Sequence, residues 1–223
     1  MNSSKLKKYG TLMRAGIMNS LQFRISTFVI ILGNLIYLVI IYYLWKAIYA
    51  SVSTPTVNGM TFQDTMIYLV LAMTIFSTIE TYLVWNMGTD IQSGKIILDI
   101  LKPMKLERFL FWNLSGNFVM SFVLTFLPTA VIVYFITDGA IPLGVNLIYF
   151  LISLAFACVI NFNIDLFTGS ICLHTQSIWG VNIMKEVIVL LLSGATIPIA
   201  FFPKLFQTIV YFLPFQAIYN TPL

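Results

Sequence analysis

Acids and bases standing inside apolar runs are the first places to look for chemistry in this sequence. Glu80 is one of them, and on a helix it lies about 7–8 Å from Trp85 at 1.5 Å per residue. That is close enough for its carboxylate to snorkel toward an interface. Asp165 stands beside Asn161 and Asn163 in a long apolar stretch and reads as a cavity-facing or interfacial structural acid. Lys185 and Glu186 are adjacent, so they do not face each other on a helix. One such pair is too little for a proton relay. His174 is the single histidine, which leaves no histidine metal cluster and no Ser/His/Asp pattern. Cys158 and Cys172 are fourteen residues apart. On a helix that is about 21 Å, beyond disulfide reach, so both read as small buried hydrophobes. A phosphate-cradling loop needs Gly, four residues, then Gly-Lys-Ser/Thr. Gly88 to Gly94-Lys95-Ile96 is one residue too long, and Ile96 has no hydroxyl for magnesium. ATP, if it drives this protein, is bound by another chain.

The elements that must hold these residues follow from composition. The chain has 223 residues, 59% apolar and only 9% charged, against about 25% charged in soluble domains. Twelve Lys and Arg with eight Asp and Glu cannot coat a core of this size. A soluble enzyme, a nucleic-acid-binding domain and a disordered chain are thereby excluded. A bilayer protein remains, and with about 20 apolar residues per span there is room for five or six helices. The net charge of +4 then reads as cations held at the cytoplasmic face.

The first twenty-four residues scatter Lys5, Lys7, Lys8, Arg14 and Arg24 among Leu6, Tyr9, Met13, Ile17 and Leu21 at helical spacing. That is an amphipathic helix with a basic face, suited to a membrane interface and unlike a cleavable signal peptide. Spans are expected at about 25–45, 65–85, 117–136, 145 to beyond 164, and 181–199. Tyr42, Tyr43, Trp45 and Tyr49 form an interfacial belt at the far end of the first span. Turns are expected at Thr54-Pro55, Asn58-Gly59 and Thr137-Asp138-Gly139. A cytoplasmic N-terminus places ten of the twelve cations inside, Lys185 among them, and leaves Lys46 and Lys204 outside. The opposite orientation inverts the ratio, so charge bias favours an inside N-terminus.

Between the second and third spans, Ile96, Ile97, Ile100 and Leu101 recur at helical spacing before Lys102-Pro103 stops the helix. Composition alone leaves open whether this short amphipathic helix rests on the membrane or docks a cytosolic partner. At the far end, Pro198, Pro203 and Pro214 forbid a continuous helix. Broken backbone at membrane depth must be covered by protein or line a water-filled cavity. Phe201, Phe202, Tyr211, Phe212 and Phe215 there form either an aromatic lid or an interfacial belt.

Three of these features together resemble the type-2 permease subunits of bacterial ATP-binding-cassette (ABC) exporters, in the daunorubicin-resistance-like group. They are the basic N-terminal helix, the Gly94 to Pro103 string, and the run Ser193-Gly194…Pro198…Pro203…Leu213-Pro214-Phe215…Pro222. The resemblance implies an all-α, polytopic single permease domain over 1–223. Its parts would be an interfacial helix over 1–24, five spans over 25–202 and an external re-entrant hairpin over 203–223. It implies ATPase coupling through Gly94, Ile97, Leu98, Leu101, Lys102 and Pro103. It implies an external gate at Ser193, Gly194, Pro198, Pro203, Pro214 and Phe215. Glu80 and Asp165 remain the intramembrane polar candidates. The chain itself would be no enzyme and hold no metal, with ATP and magnesium bound by two copies of an ABC ATPase subunit. A second permease, identical or different, would complete the pathway in a bacterial plasma membrane. The family usually carries a sixth span after the hairpin, so a chain ending at Leu223 is expected to lack it. The rivals are a membrane scaffold and an ion-coupled transporter or channel. The latter needs an internal repeat and a paired set of buried charges, and neither is legible in the sequence.

Overall fold

The computed structural model describes residues 3–22, 24–52, 56–136, 144–175 and 177–223. The expected turns at Thr54-Pro55 and Thr137-Asp138-Gly139 lie outside the described residues, as do the side chains of Lys5, Leu6 and Arg24. The described residues of the chain are mostly helical, with one short ribbon of two two-residue strands among them. Its helices are α1 (Ser3–Gln22), α2 (Arg24–Ala50), α3 (Phe62–Ile79), α4 (Leu83–Gln92), α5 (Ile96–Ile100), α6 (Leu106–Ser121), α7 (Leu127–Ile136), α8 (Val145–Thr175), α9 (Ile178–Ser193), α10 (Lys204–Phe212) and α11 (Gln216–Tyr219). The ribbon pairs β1 (Thr56–Val57) with β2 (Met60–Thr61) in antiparallel register. Asn58 and Gly59 join the strands, both with positive φ, as a tight primed hairpin turn demands.

Among the described residues three stretches are long and apolar enough to cross a bilayer: 62–92, 106–135 and 145–175. The apolar segments Ile36–Ala50 of α2 and α9 are shorter. The first long stretch is not one helix. It stops at Ile79 and restarts at Leu83, with Glu80 extended and Tyr82 left-handed between them. The second runs unbroken from Leu106, eleven residues before the expected start at Asn117, and passes Pro128 without stopping. A proline ring collides with the carbonyl four residues back. Here the preceding residues Phe122–Phe126 form a π-helical turn, with Leu127 N–H bonded to the Phe122 carbonyl. That wider turn carries the backbone past the ring.

The middle of the α1 stripe expected to face lipid, from Tyr9 to Ile17, packs on α6 instead. Tyr9 stacks on Trp112 at 5.1 Å, and Ser20 donates a 2.7 Å hydrogen bond to Asn117 Oδ1. The crossing point is glycine on both sides. A methyl on Gly16 would overlap the Asn113 carbonyl, and one on Gly116 would overlap that of Met13. The basic face of α1 (Lys7, Lys8 and Arg14) remains exposed.

The core collects at the crossing of α3, α8, α9 and α11. Ile75, Ile79, Leu154, Ala157, Val189 and Tyr219 form its largest apolar cluster. Leu83, Met87 and Phe162 form a second, and Val84, Cys172 and Val181 a third, both around α4. The break between α3 and α4 therefore falls between the large cluster and the two smaller ones.

Candidate functional site

Each helix around the break buries one stripe. On α8 it includes Leu154, Ala157, Asn161, Asp165, Thr168 and Cys172, and on α9 it is Ile178, Val181, Lys185, Val189 and Ser193. Both are spaced by three or four, so each faces a single partner surface. Asp165 and Lys185 thus sit at core positions of their stripes. Their charged ends meet at 2.9 Å, Lys185 Nζ to Asp165 Oδ1. Glu80, delivered by the break, approaches the same ammonium at 3.5 Å. The Lys185 side chain is 4% exposed, that of Asp165 0%, and that of Glu80 11%.

The polar groups around this trio are mostly matched. Thr81 Oγ1 donates to Asp165 Oδ2 at 3.1 Å and Asn161 Nδ2 donates to the same oxygen at 3.3 Å. The Tyr82 amide, freed by the break, donates to Glu80 Oε1 at 3.2 Å. Glu186, next along α9, points elsewhere and accepts from Asn182 Nδ2 at 2.8 Å. The Oδ1 atom of Asp165 is wholly buried and receives no hydrogen bond of good geometry, only the ion pair.

Three sequence expectations change at this point. Glu80 does not snorkel outward but pairs inward with Lys185. Lys185 is a buried core charge and drops out of the loop count that set the orientation, leaving nine cations against two on the same reasoning. A set of buried, opposite charges is present after all. Lys185 is the residue that sequence reasoning misses, and its place in the stripe Ile178–Val181–Lys185–Val189 is the available signal. Among the described residues no group of three His, Cys, Asp or Glu could hold a metal ion.

The two other candidate regions occupy different parts of the molecule. Gly94 ends α4 with a positive φ of 74°, and α5 follows at once. Ile97, Leu98, Ile100 and Leu101 are all exposed, Leu98 at 66% and Leu101 at 74%. Lys102 pairs with Asp99 and lies over the Phe109 ring at 3.4 Å. Pro103 accepts a hydrogen bond from Lys8 at 3.4 Å, which ties this segment to α1.

The segment leading into the hairpin begins where Gly194 turns α9 off with φ 82°. Tyr68 donates to the Gly194 carbonyl at 3.0 Å. Gln207 donates to the carbonyls of Ala200 and Phe202 at 3.2 and 2.8 Å, covering backbone that the prolines leave unpaired. Pro198 precedes a 3₁₀ turn at Ile199–Phe201, Pro203 starts α10, and Pro214 follows its end. The five aromatics do not act as one lid. Phe201 packs on Trp45 at 4.8 Å, Phe202 on Phe206, and Phe215 against the main core, while Tyr211 and Phe212 stay exposed. Ser193 is fully buried, and its hydroxyl has no hydrogen-bond partner. A cleft of about 500 Å³ between α8, α9 and the hairpin is lined by Asn163, Phe167, Met184, Lys185, Pro214 and Phe215.

The sequence model of the ABC-2 family transporter proteins matches residues 16–223, nearly the whole chain. The chain belongs to that family. No curated protein and no solved structure matches it. As an ABC-2 family member it is a helical, multi-pass membrane protein and a transport permease. Such permeases work in general with ABC ATPase subunits. The matched region takes in the Gly16–Gly116 crossing, the buried charge trio, α5 and the proline hairpin.

Proposed function

We propose that this permease is the membrane subunit of an ATP-driven exporter in a bacterial plasma membrane, of the daunorubicin-resistance-like group. It supplies half of the pathway, with its N-terminus cytoplasmic. A second permease, the same chain or another, supplies the other half, because five or six helices cannot seal a pathway alone. Two ATPase subunits bind ATP and magnesium beneath the pair. Residues 1–223 act as one permease domain, with the hairpin from Pro203 onward as external gate. In this reading Ser193, Gly194, Pro198, Pro203, Pro214 and Phe215 shape the exit.

The observation that supports coupling is α5. A five-residue helix pinned between Gly94 and Pro103 presents Ile97, Leu98 and Leu101 with no protein over them. Exposed apolar side chains on a rigid ledge are what a partner groove accepts. Lys102 and its pair with Asp99 hold the ledge at its end. ATP-driven closure of the ATPases pushes on this ledge, and α4, which leads directly into it, carries the push back to the α3–α4 break.

Leu98→Asp and Leu101→Asp in the full chain test the reading. Each variant inserts normally, loses co-purification with the ATPase and no longer stimulates its hydrolysis. Normal capture and normal export in both variants would remove α5 from coupling. Orientation is tested separately in a chain lacking Cys158 and Cys172. An impermeant thiol reagent outside intact cells labels Asn58→Cys and spares Ser4→Cys, and the reverse pattern overturns the topology.

A further inference from the structure

The charge trio at the α3–α4 break does not balance. Two carboxylates, Glu80 and Asp165, share one ammonium, Lys185, inside the protein. Among the described residues Lys185 is the one basic group in ion-pair contact with either acid. The other titratable groups facing the trio do not supply the missing positive charge. Tyr219 on α11 lies within electrostatic reach, as does Tyr82 beside the break, and neither of them is a cation. Glu186 on α9 adds a further negative charge near Lys185. With every group ionised, the trio alone carries one excess negative charge, most of it out of reach of water. A buried charge without a partner is removed by proton uptake rather than tolerated.

The geometry also provides a place for the proton. Asp165 Oδ1 is buried and faces the ammonium at 2.9 Å, which holds that oxygen as the anion. Its other oxygen already accepts from Thr81 and Asn161. Glu80 Oε2, by contrast, lies farther from the ammonium, at 3.5 Å, and its side chain is 11% exposed, so it is the acid that can carry the proton. The pair therefore has an inner acid and an outer acid, and protons exchange through the outer one.

We propose that Glu80, Asp165 and Lys185 form a proton-binding site that holds one exchangeable proton between the two carboxylates. The proton belongs to the pair, as it does wherever two acids interact strongly. Uptake is a simple association of H⁺ with a carboxylate to give the carboxylic acid, and no other reactant is needed. The site stands whether or not the permease works with an ATPase, since it rests on charge balance within this chain.

The test is infrared spectroscopy of the full chain in lipid bilayers. The spectrum is taken at neutral pH. One protonated carboxyl remains, seen as a carbonyl-stretch band that shifts in D₂O. Carbon-13 carboxyl labelling of Asp and Glu shifts the same band in the unsubstituted protein. Glu80→Gln removes the band, and so does Asp165→Asn, because either leaves one carboxylate opposite one ammonium. Lys185→Met raises the band about twofold, because two acids then need two protons. A wild-type protein with no labelled carboxyl band at neutral pH overturns the proposal, and this measurement needs no variant to fold. A band that survives both amide substitutions overturns it as well.

Discussion

Two long helical stretches of this permease are interrupted near their middles, and the interruptions are built from opposite materials. The α3–α4 break has no proline or glycine between Ile79 and Leu83, yet the helix ends completely. It is held by an ammonium, two carboxylates, Thr81, Asn161 and the Tyr82 amide. The Phe122–Phe126 turn has a proline just after it, yet the helix continues. It is held by rings. Phe122 and Phe126 stack at 5.1 Å, Phe126 and Phe150 at 5.3 Å, and the Thr129 hydroxyl donates to the Thr125 carbonyl. The difference teaches where each kind of irregularity can live. A complete break frees several backbone groups and needs charged or polar side chains to meet them. A π turn frees almost none and can be finished with apolar packing.

The comparison is broken most forcefully at Lys185. Lys185→Met leaves the two buried acids without their cation, and unfolding in detergent should show a loss of about 3–5 kcal/mol. Adding Asp165→Asn should recover much of it, and a loss below about 1 kcal/mol in the single variant would show that the trio is not buried as described. At the other interruption Phe126→Ala removes the middle ring of the stack and should cost about 3 kcal/mol. An equal loss in Phe126→Leu would mean that ring shape, not apolar volume, holds the turn. Tyr82 sharpens the contrast on a smaller scale. Its φ of 51° is costly for a non-glycine residue, and its side chain is exposed. Tyr82→Gly should therefore gain about 1 kcal/mol and Tyr82→Val should lose about 1–2 kcal/mol, seen as opposite shifts in thermal midpoint. The smallest effect belongs to Pro128→Ala. Because the wide turn already accommodates the ring, stability should change by less than about 1 kcal/mol, against the roughly 3 kcal/mol of a strained interior proline. A gain near the larger figure would make the π turn a site of strain.

The two interruptions also explain what the sequence can and cannot tell. Sequence reading finds helix breaks from proline and glycine, so Pro128 is visible and Glu80–Tyr82 is not. The outcome is the reverse of the signal, because neighbouring helices supply what either backbone needs. Glu80 and Asp165 are legible as acids in apolar runs, since a lone acid there is conspicuous on composition alone. Their partner is not, because the sequence sets Lys185 only beside its neighbour Glu186, whereas its contacts come from residues 20 and 105 positions away along the chain. The Gly94–Pro103 ledge and the proline hairpin are legible as local segments, because turn chemistry is local. The α1–α6 contact escapes notice because an amphipathic stripe looks the same whether lipid or a second helix covers it.

The glycine crossing of α1 and α6 makes those two helices one mechanical body. Backbones in such close contact cannot slide lengthwise without first separating, since each passes through a notch in the other. The opening segment of this permease is therefore a lever rather than a tether. A sideways load on α1 turns the first half of the 106–136 helix with it. The wide turn at Phe122–Phe126 is where that twist meets a stretch of looser pitch, so the second half can lag behind the first.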